Sequence, residues 1–281
     1  MSVKNEGNID YIKILTDIKP YIYILTPCYG GNCSVQYMTS LIKTIQVLNN
    51  MNIKFFVEFT QNESLISRAR NNLIAKAMTN KESTHFMFID SDISWNPIEI
   101  IKLIIRDKDL VGGIYPLKTL NLDNIKNIKN IENKSISDIK KELIKFNFNA
   151  INNDNAEIKN SCLEVKHIAT GFMMIKRNVI ESLQKSYPYT KYIDDIGYLN
   201  NTEDENAFAL FDTSVEYGHY LSEDWLFCER WKSIGGKVFC DITIELSHTG
   251  SYSFEGKLYD KLFPKKNTEI NTEINENSKE N

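Results

Sequence analysis

The segment Phe86-Met87-Phe88-Ile89-Asp90-Ser91-Asp92-Ile93-Ser94-Trp95 places four apolar residues directly before two acidic residues that are spaced by one. A short apolar run of this kind is typical of a buried strand. Residues two apart on an extended chain point to the same side, so the two carboxylates repel each other unless a positive charge lies between them. The segment therefore predicts a buried strand that ends at a cation-binding site.

The segments around this strand alternate between strand-like and helix-like patterns. Strands are predicted at 21–25, 53–60, 84–90 and 109–116, and helices at 34–52, 62–80 and 96–108. Such alternation indicates a mostly parallel sheet with helices on both faces. Ligands bind such sheets at the carboxyl ends of the strands, and Thr26, Asp90 and Asp92 all lie at predicted strand ends.

The second half of the chain begins with a change of composition. Residues 119–160 are rich in Asn, Ile and Lys, which predicts a low-complexity insert that is partly helical at 135–146. A strand, a turn, a strand and a helix are predicted over 164–183. An acidic turn, a helix from about Glu223 to Ile234 and a strand that ends at Ser247-His248 follow. We predict one domain over 1–265 and a disordered tail over 266–281.

The composition excludes several classes of protein. The formal net charge of −4 provides no basic surface, which argues against nucleic acid as the main partner. No apolar run approaches the roughly 20 residues that a membrane span needs, and the first residues do not resemble a signal peptide. The five scattered cysteines predict reduced thiols. We therefore expect a soluble, cytoplasmic protein.

Three features occur in a defined order along the chain. They are Asp90-Ser91-Asp92 at a strand end, Ser222-Glu223-Asp224-Trp225 at the start of a later helix, and His248 at the end of a strand. In this order they resemble the GT-A-fold glycosyltransferases, from about Tyr21 to about Phe263 without the insert. The resemblance implies a Rossmann-like three-layer α/β/α sandwich with a mostly parallel central sheet. It also implies sugar transfer from a UDP- or GDP-type donor to a hydroxyl acceptor, which we expect to be a glycan.

The resemblance assigns a metal site to the first and third features. Breaking the donor's glycosidic bond leaves extra negative charge on the diphosphate, which Mn²⁺ or Mg²⁺ neutralises as a Lewis acid. Such cations prefer carboxylate oxygens. The resemblance implies that Asp92 binds the metal directly, that Asp90 lies nearer the ribose or binds through water, and that His248 is the third ligand. The alternative readings are a helix cap before Pro97 and an ordinary strand-end histidine.

The acidic pair Glu223-Asp224 is the predicted catalytic pair. An inverting transferase needs a general base for the acceptor hydroxyl, and the family places it at the position of Asp224. The alternative is that both acids only stabilise the helix N-terminus. The helix dipole lowers the basicity of a carboxylate unless burial offsets it. The interval from His248 to Lys257 is similar to a feature of retaining members, so retention stays open, although we favour inversion.

The donor and acceptor residues follow from the same resemblance. The turn with Thr26, Pro27 and Tyr29 would hold the base and ribose, and Arg68 would contact either the diphosphate or the ribose-facing aspartate. Lys257 is the candidate diphosphate lysine, although it lies further along the chain than the family pattern places it.

The predicted sugar or acceptor contacts are Thr170, Gly171 and Trp225. Each donor or acceptor residue also has an ordinary structural reading, as a turn, a solvated arginine or core packing.

Two other functions compete with this prediction. Haloacid-dehalogenase-type phosphohydrolases also have an apolar strand that ends in Asp-x-Asp, and Asp194-Asp195 could imitate their later acid pair. That motif usually lies on the first strand of the domain, however, whereas strands and helices precede Asp90 here. The third possibility is a non-catalytic module that binds a sugar nucleotide. Turnover distinguishes it from both enzymes.

Overall fold

The computed structural model describes residues 11–146, 148–151 and 157–251. The helices are α1 (Tyr11–Ile18), α2 (Val35–Asn50), α3 (Ile66–Thr79), α4 (Ile98–Arg106), α5 (Ile136–Leu143), α6 (Arg177–Ser186), α7 (Asn201–Asp204) and α8 (Glu223–Ser233). The strands are β1 (Tyr21–Cys28), β2 (Lys54–Gln61), β3 (His85–Ile89), β4 (Ile93–Trp95), β5 (Leu110–Gly113), β6 (Pro116–Leu120), β7 (Ile144–Phe146), β8 (Asn149–Ala150), β9 (Ile158–Lys159), β10 (Cys162–His167), β11 (Phe172–Lys176), β12 (Ser214–Glu216), β13 (His219–Leu221), β14 (Phe239–Asp241) and β15 (Leu246–His248).

The central sheet has the strand order β2-β1-β3-β11-β5-β14-β10-β8, and β9 also pairs with β10. The pairs β1–β2, β1–β3 and β5–β14 are parallel, while β10 and β11 run antiparallel to their neighbours. All the other strands of this sheet therefore run in one direction. The predicted α/β fold with a mostly parallel central sheet is confirmed.

The two faces of the sheet bury separate apolar cores. On β3, Phe86 and Phe88 join the core with α3, α6 and α8, whereas Met87 and Ile89 join the core with α2 and α4. Successive residues of a strand point to opposite faces, so one short apolar run supplies both cores. The result is the predicted three-layer α/β/α sandwich.

A small antiparallel sheet places the polar residues at the carboxyl end of β3. It consists of β4 and β15, in which His248 pairs with Ile93. The prediction of one continuous strand before His248 is wrong. Asp241 ends β14 because its Oδ1 accepts hydrogen bonds from the backbone nitrogen and hydroxyl of Thr243, which turns the chain. The Nε of Arg106 holds the other oxygen of Asp241, at 2.6 Å.

The other sequence-based predictions have mixed outcomes. The described residues up to Thr249 belong to one compact unit. The boundaries predicted at 119, 160 and 265 stay predictions, and the tail at 266–281 lies outside the described residues. The helix predicted within the insert is confirmed as α5. The five cysteines, which all lie in the described part of the chain, form no disulfide with one another. No helix in the described part of the chain has the length and apolar character needed to cross a membrane.

Candidate active site

A buried arginine connects the two acidic segments. Arg70 on α3 is only 3% exposed. Its Nη2 donates to Asp90 Oδ1 at 3.0 Å, and its Nε donates to Glu223 Oε1 at 3.1 Å. Burial alone would lower the pKa of Arg70, but the two carboxylates outweigh it and raise the pKa above its ordinary value. The guanidinium therefore remains charged and holds the end of β3 against the start of α8.

Separate segments of the chain fix the Asp90-Ser91-Asp92 turn. The backbone nitrogen of Asp90 donates to the carbonyl of Gly171, and the backbone nitrogen of Ser34 donates to that of Ser91. The backbone nitrogen of Thr249 donates to the carbonyl of Asp92. The strand β4 separates this turn from α4, and the first backbone nitrogen of α4 donates to the side chain of Asn96. The cap reading for Asp90 and Asp92 is therefore disfavoured.

Asp92 and His248 form the part of the predicted metal site that the structure brings together. The Nδ1 of His248 lies 2.9 Å from the carbonyl oxygen of Pro116, which can only accept a hydrogen bond. The ring proton is therefore assigned to Nδ1, and Nε2 faces Asp92 Oδ1 at 3.3 Å. An imidazole lone pair opposite a carboxylate oxygen is favourable only when a proton or a metal cation lies between them.

This pair fits a divalent cation, but the predicted set of three ligands is not assembled. Within residues 11–146, 148–151 and 157–251, no three His, Cys, Asp or Glu side chains converge in a way that could hold a metal. Asp90 is drawn towards Arg70 through Oδ1. The Nζ of Lys118 on β6 contacts the second oxygen of Asp92. An amine and an arginine thus neutralise the two aspartates in this structure.

The environment of Asp224 makes its carboxylate more basic. Burial raises the pKa of Asp224, and the neighbouring Glu223 raises it further. The Ser222 hydroxyl, Arg70 and the backbone nitrogen of Trp225 act in the opposite direction, without cancelling the rise. Burial therefore offsets the effect expected from the helix dipole, as a general base requires.

Trp225 is held in place by a buried histidine. The rings of Trp225 and His167 stack with centroids 4.4 Å apart and planes 12° apart. His167 Nε2 lies 2.6 Å from Glu229 Oε1, and its Nδ1 lies 2.9 Å from Asn149 Nδ2. Burial lowers the pKa of His167 despite the carboxylate of Glu229. The indole has a fixed orientation and stays partly exposed, which suits contact with a sugar ring.

The ring of Tyr115 lies between the turn at Thr170-Gly171 and His248. Thr170 is buried, and a Cβ built on Gly171 would lie 2.6 Å from the ring of Tyr115. That ring contacts the imidazole of His248 edge to face, with centroids 5.2 Å apart. A glycine is therefore required here for close packing.

The predicted donor residues have different environments. The Thr26 hydroxyl lies 2.6 Å from the Tyr37 hydroxyl in the core, and Pro27 is buried. Tyr29 is 78% exposed in a turn after β1, where a nucleotide base could stack on it. Lys257 lies outside the described residues.

Arg68 does not make the contact with the ribose-facing aspartate that the sequence suggested. Its Nε and Nη2 donate to the two carboxylate oxygens of Glu63, at 2.7 and 2.8 Å. The arginine that contacts Asp90 is Arg70, two residues further along α3. Two residues rotate the helix by about 200°, which puts Arg70, rather than Arg68, on the face that packs on the sheet. A diphosphate contact by Arg68 stays a prediction.

Sequence reasoning missed Arg70 and Lys118. Arg70, Ile74 and Met78 are spaced four apart and so lie on one face of α3, which is buried. An arginine on such an apolar face is a sequence signal for a buried charge. Lys118 carries no comparable signal, because its contact with Asp92 depends on where β6 lies in the fold. In the acid pair of the phosphohydrolase reading, Asp194 is occupied locally, because it accepts hydrogen bonds from the backbone of Ile196 and Leu199.

Comparison with known proteins gives remote structural likenesses. No protein-family model and no curated protein matches the chain. Among solved structures, A197 from STIV matches at 15% identity and a TM-score of 0.43, over 82% of this chain and 86% of that chain. GalNAc-T7 with UDP, GalNAc and Mn²⁺ matches at 9% and 0.43, over 84% of this chain and 45% of that chain. The inositol-1-phosphate CTP transferase from T. maritima matches at 12% and 0.39, over 86% and 94%. Likenesses this remote do not bear on activity.

Proposed function

We propose that this protein is a glycosyltransferase that moves a sugar from a nucleoside-diphosphate sugar to a hydroxyl acceptor, with inversion at the sugar carbon. The observation that carries the proposal is that charged residues from distant parts of the chain converge at the carboxyl end of the central sheet. Arg70 joins Asp90 to Glu223, and Asp92 faces His248. The fold alone does not require charged groups from four separate segments to meet. They meet at the carboxyl ends of the strands, where α/β sheets bind their ligands.

A divalent cation, Mn²⁺ or Mg²⁺, would supply Lewis-acid neutralisation of the diphosphate leaving group. Asp92 and His248 would hold it, and Asp90 would contribute through the oxygen that Arg70 leaves open or through water. The imidazole of His248 favours Mn²⁺ among these ions. The hydrogen bond to the carbonyl of Pro116 orients the ring for this role.

Asp224 would act as the general base. As the acceptor oxygen attacks the anomeric carbon, its proton passes to the Asp224 carboxylate, and the bond between that carbon and the diphosphate oxygen breaks. The raised pKa of Asp224 supports this role. Glu223 is a positioning residue, because its contact with Arg70 sets the start of α8 and its charge increases the basicity of Asp224.

The substrate contacts follow the same geometry. Exposed Tyr29 would stack on the nucleotide base, and the backbone beside Thr26 and Pro27 would meet the ribose, because both side chains are buried. Trp225 and the turn at Gly171 would meet the transferred sugar or a glycan acceptor. We further predict roles at the diphosphate for Arg68 and Lys257.

The first experiment is calorimetric titration with UDP and GDP, with and without Mn²⁺, followed by an assay of nucleoside-diphosphate release from the matching nucleotide sugars. We expect one nucleotide to bind tightly only with Mn²⁺, and Asp92→Asn to abolish that binding. Asp224→Asn should bind the nucleotide like wild type but lose about 10²–10⁴-fold in release. Lys54→Met is a suitable control, because Lys54 forms an exposed ion pair with Glu82.

Other results would point to the competing functions. Release of inorganic phosphate from phosphate esters, without binding of either nucleotide, would favour the phosphohydrolase. Nucleotide binding without turnover over a panel of donors and acceptors would favour the binding module. Full release by Asp224→Asn would remove Asp224 from the mechanism.

A further inference from the structure

Lys118 contributes a positive charge to this site from a strand next to the insert. Its Nζ contacts one oxygen of Asp92, while the other oxygen of Asp92 lies 3.3 Å from His248 Nε2. Asp92 thus lies between an ammonium group and an imidazole. The amine occupies one of the two carboxylate oxygens that a metal ion would need.

The position of this lysine is set by the site itself. Pro116, at the start of β6, accepts a hydrogen bond from His248. Lys118 lies only two residues further along β6, whose register shifts between Pro116 and Leu120. The hydrogen bond from His248 to the carbonyl of Pro116 therefore holds β6 close to the site, where Lys118 contacts Asp92.

Fold stability does not explain the contact between Lys118 and Asp92. The two side chains are 40% and 35% exposed. Ion pairs as exposed as this one contribute little to stability, because solvent screens them and two long side chains must be ordered. The ammonium group also lies on a flexible stem, which allows it to move to another anion nearby.

A metal ion on Asp92 would compete with this ammonium group. Both carry positive charge and both need the same carboxylate, so the amine is repelled unless new negative charge arrives beside it. A diphosphate bound to the metal provides such charge, within the reach of a lysine side chain anchored at the same strand. Oxygens of a diphosphate accept charge-assisted hydrogen bonds from an ammonium group.

We propose that Lys118 binds the diphosphate of a nucleoside diphosphate, and that its ammonium group moves from Asp92 to the phosphate oxygens when a divalent cation occupies Asp92. This inference rests on the proposed function, since it requires a ligand that carries a diphosphate. It adds to that function a phosphate-binding residue and a competition between the lysine and the metal.

Two calorimetric titrations test the proposal on the 281-residue chain. The first titrates Mn²⁺ alone, and the second titrates UDP and GDP in the presence of Mn²⁺. Lys118→Met should bind Mn²⁺ a few-fold more tightly, because the competing ammonium is gone. It should bind the nucleotide about tenfold or more weakly, because a charge-assisted hydrogen bond is lost. Lys118→Arg keeps the charge and should recover most of the nucleotide affinity.

Lys134→Met is the matched control. Lys134 also forms a half-exposed ion pair, with Glu142, in the region that follows β6. This variant should leave both affinities unchanged, and the melting temperatures of all variants should equal that of wild type. Opposite changes in metal and nucleotide affinity are not expected from a structural role of Lys118.

The outcomes separate this inference from the proposed function. Wild-type nucleotide affinity in Lys118→Met would overturn the role of Lys118 and leave the transferase proposal standing. If wild type binds neither nucleotide, both proposals fail. If wild type binds a nucleotide without Mn²⁺, the metal requirement fails, and weaker binding by Lys118→Met would then support the lysine as a phosphate ligand.

Discussion

Replacing Arg70 with methionine tests whether a buried positive charge holds the two acidic segments together. Methionine keeps much of the apolar packing on α3 but removes the hydrogen bonds to Asp90 and Glu223. The side chains of these two acids are 29% and 13% exposed, so each carboxylate would lose its counter-charge in a partly buried position. Breaking a buried ion pair by removing one partner costs about 3–5 kcal/mol. Because Asp90 is partly screened by solvent, we expect about 3 kcal/mol.

The assay is urea unfolding of wild type and Arg70→Met at pH 7, each with and without Glu223→Gln. If uncompensated carboxylates cause the loss, removing the charge of Glu223 should recover part of the unfolding free energy in Arg70→Met. Lys76→Met is the control, because Lys76 lies on the same helix in a half-exposed pair with Glu58, and its loss should be below about 1 kcal/mol.

Two results would refute this reasoning. A loss below about 1 kcal/mol for Arg70→Met at pH 7 would mean that the buried ion pair contributes no more than a surface pair. A loss that Glu223→Gln does not reduce would mean that packing, rather than charge, is responsible.

Three further predictions concern single side chains. Nucleoside-diphosphate release should fall as the pH drops through the raised pKa of Asp224, because the base must be ionised, and the residual activity of Asp224→Asn should not show this acid limb. Burial, assisted by nearby Lys176, lowers the pKa of His85 to about 4, so stability is full above the unfolded value of 6.5 and is lost as the pH falls towards 4. Urea unfolding should show that this loss, roughly 2–3 kcal/mol at pH 4.5, is absent in His85→Gln. Gly171→Ala should destabilise the protein by about 1–3 kcal/mol, because its Cβ meets the ring of Tyr115, and a double-mutant cycle with Tyr115→Ala should recover part of that loss; independent, additive effects would contradict the predicted clash.

The local patterns predicted the elements with strong periodicity. β3 is an uninterrupted apolar run, and α2 and α3 have apolar residues at helical spacing, so their identity is written in neighbouring residues. The small sheet was missed. β4 and β15 each contain three residues, and β15 is stable as a strand only because β4 lies beside it. Pairing between segments this far apart leaves no periodic signal in either.

In the candidate site, too, local patterns were predictable and contacts between distant segments were not. The strand end identified Asp90 and Asp92, and the helix start identified Glu223 and Asp224, because both positions are local features of the chain. For the contact with Asp90, the same local reasoning pointed to Arg68, whereas Arg70 makes it. Both arginines lie on α3, and which one faces Asp90 depends on how the helix is rotated against the sheet.

By itself, the sequence determined the class of fold and the acidic residues of the candidate site, since both follow from periodicity and from polar residues at the ends of elements. Only the tertiary structure decided which charges meet. It placed Arg70 between Asp90 and Glu223, and it placed His248 and Lys118 on opposite oxygens of Asp92. The physical reason is that hydrophobic burial is non-directional and depends on local composition, whereas ion pairs and hydrogen bonds depend on distances of a few ångströms between segments that only packing brings together.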